Sequence, residues 1–266
     1  VANGAVADAV LPFHIKKDDA VARIRQFVDK RQMFALKEFK EQFTPENVVG
    51  VYLPYMIVDG NASADVAGKG EIKTREYTRG TDNNKKTYYD ADIYQVGRHV
   101  DFTVDDLPLE SSTERGNLDV RVNTNNIINT ILPFDTKNAV KWNASYLSGF
   151  TSEKRDSNVE HLHPRLEDQL LSIARAQVEA SVRRYDRGVR WEQEKLDVHG
   201  TRWVSMYLPV WLYSYHQPGA GAGGSGGGML HYIAVNGRTG ETMGSVPVQQ
   251  WKLLLAALTV GTFLEA

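Results

Sequence analysis

The chain has 266 residues, of which 42% are hydrophobic and 24% are charged, so its composition is that of a folded protein rather than a disordered or fibrous one. Its 31 basic and 33 acidic residues leave a formal net charge of -2, which disfavours a general electrostatic attraction for polyanions such as nucleic acids. The absence of cysteine excludes disulfides, thiolate nucleophiles and cysteine-ligated metals within this chain.

The first predicted elements are a helix and an antiparallel meander. Residues 18–33 carry Val21, Ile24, Phe27 and Val28 at helical spacing, which predicts an amphipathic helix. Residues 48–58 are rich in β-branched and aromatic side chains, which is typical of a strand. Two further predicted strands, 72–79 and 88–104, flank a polar turn, so these segments indicate a meander.

A second helix is predicted over residues 164–187. Proline suits its first turn, the stripe that includes Leu166 and Leu170 gives it one apolar face, and Gly188 can close its C-terminal end. Strands are predicted after it at residues 189–198, 202–215, 230–235 and 241–246, and Asn236 and Gly237 indicate the turn of the last hairpin.

Two segments are predicted to lie outside the folded units. Residues 218–228 form a glycine-rich run, which predicts a flexible loop, and no lysine and hydroxyl follow it as a phosphate-binding loop requires. Residues 248–266 form an apolar tail that is too short to span a bilayer, and we expect it to be the start of a membrane helix. Because the chain also begins at Val1, we expect it to be a region of a longer, membrane-attached protein.

The motif Tyr-Leu-Pro occurs twice, from Tyr52 and from Tyr207, and each copy follows a predicted amphipathic helix. This recurrence suggests a duplicated helix-plus-sheet unit. We therefore expect a first half over residues 11–150 and a second half over residues 151–247, with the apolar tail at 248–266.

Several short motifs resemble those of an uncharacterised bacterial family of zinc-ribbon, membrane-anchored proteins that are often labelled primosomal-helicase-like. The matching stretches, in chain order, are Leu11-Pro12-Phe13, Gly50-Val51-Tyr52-Leu53-Pro54-Tyr55, Tyr146-Leu147-Ser148-Gly149-Phe150, Leu208-Pro209-Val210-Trp211 and Val235-Asn236-Gly237-Arg238-Thr239-Gly240-Glu241.

The resemblance implies that the chain corresponds to the region between a cysteine-rich ribbon and the membrane helices. Zinc would then belong to an N-terminal ribbon that this chain lacks, and no cofactor is expected in the chain itself. The phosphate loop and acidic metal ligands of a helicase motor are absent from the sequence, so we exclude helicase activity for it. The family offers no established catalytic residues to transfer.

The best local metal candidate is the group Glu160, His161 and His163, because imidazole and carboxylate groups bind zinc or nickel. The same pattern is typical of solvated residues before a helix, and no further fixed ligand is visible. A metal-dependent enzyme would need more distant carboxylates such as Asp90 or Asp92, which lie on one predicted strand at positions i and i+2.

Aromatic residues in the predicted strands are candidates for a binding surface that stacks on sugars, bases or peptides. The residues concerned are Tyr55, Trp203, Trp211, Tyr213 and Tyr215. The alternative interpretation is that these rings fill the core. A basic stretch from Arg183 to Lys195 could contact lipid phosphates, but nearby acidic residues can balance its charge.

We therefore expect an α+β protein in which antiparallel meanders pack on amphipathic helices, with two related halves. The function we favour is a binding or scaffolding region without catalysis in a membrane-attached protein, located at the cytoplasmic face, with an unknown protein or small ligand as partner. The alternatives are a metal-dependent enzyme that uses His161 and His163, and a nucleic-acid-associated protein that acts through the missing ribbon. Direct nucleic-acid binding by this chain is not expected.

Overall fold

The structure is a computed structural model that describes residues 6–30, 39, 41, 43–80, 85–112, 131–155, 157–217 and 229–244. The α-helices with described bounds are α1 (Lys17–Asp29) and α2 (Val159–Glu179). The strands are β1 (Ala9–Val10), β2 (Val49–Arg79), β3 (Lys86–Glu110), β4 (Val140–Lys141), β5 (Thr151–Ser152), β6 (Val189–Gln217), β7 (Met229–Asn236) and β8 (Thr242–Gly244). The predicted glycine-rich loop and apolar tail lie outside the described residues.

The chain divides by its contacts into two compact units whose segments alternate along the sequence. Unit 1 comprises Val1–Met56, Glu110–Ser157 and Val204–Ala266, and unit 2 comprises Ile57–Leu109 and Asn158–Trp203. Strands β2 and β6 contribute residues to both units. This division differs from the two consecutive halves expected from the sequence, and the duplication of those halves stays a prediction.

The core of unit 1 forms where the apolar face of α1 meets β6 and β7. Asp18 and Asp19 lie in the first turn of α1, where acidic side chains interact favourably with the helix dipole. The buried residues of this core are Ala20, Val21, Ile24, Phe27, Val28, Phe39, Val48, Trp211, Tyr213, Tyr215, Ile233 and Val235. The predicted α1 stripe and the predicted Asn236-Gly237 turn after β7 are both confirmed.

The two Tyr-Leu-Pro segments occupy similar positions within unit 1. Tyr52 pairs in parallel with β5, and Tyr207 pairs in parallel with β1. Proline has no N–H to donate to a neighbouring strand, but its carbonyl can accept. The carbonyl of Pro54 accepts from the amide of Ser111, just after β3, at 3.0 Å. The carbonyl of Pro209 accepts from the amide of Gly237, just after β7, at 2.8 Å. Each segment therefore lies between a short parallel strand and a longer hairpin partner.

In unit 2, α2 covers one face of the sheet formed by β3, β2 and β6. Five residues at four-residue spacing form the buried face of α2: Leu162, Leu166, Leu170, Ala174 and Val178. The strands bury small residues such as Ala62 and Ala64, and Arg98 on β3 donates to the carbonyl oxygen of Ser181 just beyond α2. The helix begins at Val159, earlier than the predicted Pro164, because burial of Leu162 extends the stripe by one turn.

The expected α+β class, with antiparallel meanders packed on amphipathic helices, is wrong. The described structure is predominantly β, since β2, β3 and β6 have 31, 25 and 29 residues whereas α1 and α2 have 13 and 21. The sheet is also mixed, because β1 pairs with β6 and β2 with β5 in parallel.

The physical reason for this error is visible in β2 after Val58. Residues 59–70 are small or polar, which predicts a break, yet buried Ala62, Ala64 and Val66 alternate with side chains on the opposite face. This alternation of period two is sufficient to continue the strand, because one face of it is buried.

Two labels taken from the resemblance also need correction. The sequence contains no cysteine, so this chain holds no zinc ribbon. The transmembrane label is not supported either, because none of the helices in the described ranges combines the length and the apolar character needed to cross a bilayer.

Candidate functional site

The predicted metal ligands lie at the start of α2, on the surface of unit 2. Glu160, His161 and His163 are all exposed, and the ring of His163 lies 5.4 Å from that of Trp203. The three residues do not belong to any set of converging metal-ligand atoms among the described residues. The structure therefore does not assemble them into a site, and their metal role stays a prediction.

Three carboxylates converge elsewhere in unit 2, on Asp59, Asp105 and Asp106, whose oxygens lie within 4.8 Å of one another. The amide of Asp106 donates to Oδ1 of Asp59 at 3.0 Å, and Arg202 approaches Asp59 at 4.0 Å. The cluster therefore joins β2 and β3 through a hydrogen bond and has a nearby counter-charge, and exposed acidic groups of this kind do not by themselves define a metal site.

The residues predicted as an aromatic binding surface lie mainly in the core of unit 1. Tyr55, Trp211, Tyr213 and Tyr215 are buried, and the indole nitrogen of Trp211 donates to the carbonyl of Ile15 at 2.8 Å. These positions match the alternative interpretation that the rings fill the core. A binding role for them stays a prediction.

Trp203, in unit 2, is half-buried, and its indole donates to Oγ1 of Thr201 at 2.9 Å. Asp90 and Asp92, the predicted distant carboxylates, are exposed on β3 and do not approach the histidines of α2 as a common ligand set. The structure does not bring the members of the hypothetical metal enzyme site together.

A different group of residues lies at the far end of unit 2, near the turn between β2 and β3. We call it the tyrosine–arginine cluster, and it consists of Tyr77, Tyr88, Tyr89, Tyr94, Tyr185, Arg75, Arg79, Arg184 and Arg187. Four of these tyrosines are wholly or partly exposed, with exposed fractions of 45% for Tyr88, 42% for Tyr89 and 40% for Tyr94. Tyr185 is buried, and its ring centre lies 6.0 Å from that of Tyr94.

Guanidinium groups in this cluster lie over tyrosine rings. The Cζ atom of Arg187 is 4.2 Å from the ring centre of Tyr89, and that of Arg79 is 5.0 Å from Tyr77. The Cζ atom of Arg184 is 4.7 Å from Tyr185. These are cation–π distances, so the rings restrict the arginine side chains. A guanidinium nitrogen of Arg184 also donates to the hydroxyl of Tyr185.

Nearby acidic groups already have other partners. Glu76 accepts from Nζ of Lys73 at 2.6 Å, and this hydrogen bond holds the pKa of Glu76 below its usual value. Asp186 accepts from the backbone amide of Lys73 at 2.8 Å, and Glu71 accepts from the hydroxyl of Tyr89 at 3.4 Å. Within the described ranges, no carboxylate forms a direct ion pair with the arginines of the cluster.

Sequence reasoning missed this cluster because it considered the basic stretch after α2 and the strand aromatics separately. The structure confirms that part of the basic stretch is balanced, since Arg190 pairs with Glu192 at 3.1 Å and Lys195 with Asp197 at 2.8 Å. The sequence does contain one signal that indicates part of the cluster, namely the tyrosines on both sides of the predicted polar turn, Tyr77, Tyr88 and Tyr89. Their proximity to Arg184 and Arg187 required the fold.

Comparisons with known proteins identify a similar protein, but they indicate no activity. No family model matches the chain. The chain is similar to "Uncharacterized protein YdjG" of Bacillus subtilis (strain 168), with 22% identity over 257 residues that cover 96% of this chain and 68% of that protein. No solved structure matches. The resemblance to the membrane-anchored family stays a prediction.

Proposed function

We propose that the chain is a non-catalytic binding module that recognises an acidic segment of a partner protein through the tyrosine–arginine cluster. The observation that carries this proposal is that exposed guanidinium groups lie over tyrosine rings and form no direct ion pair with a carboxylate among the described residues, although the charge of Arg187 contributes to the lowered pKa of Glu76. Arginine and tyrosine are the residue types that contribute most to protein interfaces.

The stacking geometry favours carboxylates as the recognised group. A guanidinium held over a ring presents a planar set of donors, which matches a carboxylate in two-point contact. Because the ring already restricts each arginine, less conformational entropy is lost when the contact forms. The tyrosines supply apolar area and a hydroxyl at the same place.

A protein segment fits this surface better than a nucleic acid. Glu71, Glu76, Asp90 and Asp92 lie among the arginines, so a continuous phosphate backbone would meet like charges. A peptide with separate carboxylates can place each one beside an arginine and avoid the acidic positions.

The direct test is a fluorescence anisotropy titration with a short synthetic peptide of alternating glutamate and threonine. The chain with Arg75→Gln and Arg187→Gln should bind this peptide at least about tenfold more weakly, because two charge-assisted contacts are lost. A matched control is Arg202→Gln, an exposed arginine near Asp59 and roughly 50 Å along β2 from the cluster.

The control variant should bind like the unmodified chain, and binding should weaken as salt rises. Equal affinity for a peptide of alternating lysine and threonine, or no affinity for the glutamate peptide, would contradict the proposal. Attachment of this module to a membrane and location at a cytoplasmic face stay predictions, as does the alternative of a metal-dependent enzyme.

A further inference from the structure

Strand β3 lies at the edge of the sheet in unit 2. The pairing order there is β3, β2, β6, and no other strand in the described ranges pairs with the outer edge of β3. Its backbone therefore presents alternate N–H and C=O groups outward, and such edges can pair with a further strand. With 25 residues, β3 is long for an unprotected edge.

Exposed apolar side chains concentrate on this edge strand next to the cluster. Tyr88, Tyr89, Ile93 and Tyr94 lie within seven consecutive positions and account for four of the nine large hydrophobic side chains that are exposed in the described residues. Ile93 is 62% exposed. An edge that is both open and apolar is the usual template for an added strand.

The two faces of β3 differ in charge. Successive side chains of a strand point to opposite faces, so Tyr89, Ala91 and Ile93 share one face, and the other face carries Tyr88, Asp90, Asp92 and Tyr94. The Tyr89 face also carries Arg187, which lies over the Tyr89 ring, and Glu71 of β2, which accepts from the Tyr89 hydroxyl. Acidic residues of β3 are therefore kept away from this arginine.

We infer that the acidic partner segment binds as an additional strand along residues 86–95 of β3, with its carboxylates on the Tyr89 face. The inference rests on the proposed function and specifies how the partner is held. Main-chain hydrogen bonds to the open edge supply affinity, and acidic side chains beside Arg187 on the Tyr89 face supply specificity. The partner is thus an extended segment in which acidic and neutral residues alternate.

A second copy of the chain is a poorer occupant of this edge. Pairing of β3 with β3 of another copy would bring Asp90 and Asp92 of the two copies close together on one face. Like charges at neighbouring cross-strand positions are destabilising. An acidic segment that places neutral side chains on that face avoids this repulsion.

The test uses two N-methylated forms of the alternating glutamate–threonine peptide, one methylated at every glutamate nitrogen and one at every threonine nitrogen. In an added strand, one of these sets points at β3 and the other points away. We expect one form to bind at least about tenfold more weakly than the unmethylated peptide and the other to bind within about threefold of it.

The outcomes separate this inference from the function it rests on. Unequal loss between the two methylated forms supports strand addition. Equal binding by all three peptides, or equal loss by both methylated forms, would overturn strand addition while leaving the arginine contacts in place. No binding of the unmethylated peptide would overturn both the inference and the proposed function.

Discussion

Asn236 illustrates how one buried side chain organises the end of a strand in unit 1. Its Nδ2 donates to the carbonyls of Ile131 and Pro133 at 2.8 and 3.0 Å. Its Oδ1 accepts from the amides of Arg238 and Thr239 at 2.9 and 3.0 Å. All of its hydrogen-bonding capacity is used, so the residue fixes both the turn after β7 and the neighbouring segment.

Replacing this side chain should therefore be costly. Asn236→Ala leaves the buried carbonyl of Ile131, the carbonyl of Pro133 and two amides without their partner, and we expect a loss of roughly 2–4 kcal/mol in the free energy of unfolding. Asn143→Ala is a matched control, because exposed Asn143 only accepts from the amide of Ser145, and it should cost about 1 kcal/mol or less. Urea denaturation measures both, and equal losses would contradict the account.

His99 provides a residue-scale prediction about pH. Its Nδ1 lies 2.7 Å from Oδ1 of Asp65 and its Nε2 lies 3.4 Å from Oδ2 of Asp101. The hydrogen bond with Asp65 raises the pKa of His99, and the Asp101 charge adds to this effect. The contact contributes its full stabilisation of the folded state below pH about 6.5. This stabilisation is lost as the pH rises through the raised pKa of His99.

Asp65→Asn should consequently lower the titration midpoint of the His99 imidazole, as followed by NMR. The Asp135→Asn variant, which removes the partner of Arg238 in unit 1 instead, should leave that midpoint nearly unchanged. A His99 midpoint that does not move in Asp65→Asn would show that the contact is not maintained in solution.

At the scale of elements, the long strands of unit 2 depend on close approach between backbones. A Cβ atom added at Gly68 of β2 would lie 2.1 Å from the carbonyl oxygen of Arg190 and 2.8 Å from Cα of Trp191. Backbone atoms cannot move aside as a flexible side chain can. Gly68 therefore lets the beginning of β6 lie directly against β2.

We expect Gly68→Ala to lower the free energy of unfolding by roughly 2 kcal/mol or more, because β2 and β6 must separate locally. Gly97→Ala on β3 is the control, since a Cβ there meets nothing within 4 Å. Thermal denaturation should show a lower Tm for Gly68→Ala alone. Similar Tm values for the two variants would contradict the close approach.

The elements that sequence could predict are those with local signals. The α1 stripe and the Asn236-Gly237 hairpin follow from periodicity and turn chemistry, and both are present. The continuous length of β2 could not be read in this way, because residues 59–70 have low strand propensity and are ordered by tertiary burial of Ala62 and Ala64.

The candidate site was harder to predict than the fold. The hypotheses from the sequence placed the site at histidines and large aromatic residues. In the structure, Tyr213 and Trp211 are core residues, and His161 is exposed on the surface. The tyrosine–arginine cluster joins residues about one hundred positions apart, such as Tyr89 and Arg187. Without strand pairing, no local pattern brings them together.

At the scale of the whole molecule, most strand residues of the described structure belong to β2, β6 and the edge strand β3. Both β2 and β6 contribute residues to the two units. In unit 2, α2 covers one face of the sheet, and the outer edge of β3 pairs with no other strand in the described ranges. The same edge carries exposed tyrosines, and arginines that form no direct ion pair within the described part of unit 2 lie beside it. A binding role accounts for all three features together.

The most direct test of this account is NMR mapping of the isotopically labelled chain during titration with the alternating glutamate–threonine peptide. The account predicts that amide shifts change mainly for residues 86–95 of β3 and around Arg75 and Arg187, and that Arg75→Gln with Arg187→Gln reduces these changes. Shift changes confined to other surfaces, or no changes at saturating peptide, would contradict the central claim that this edge of unit 2 is the binding site.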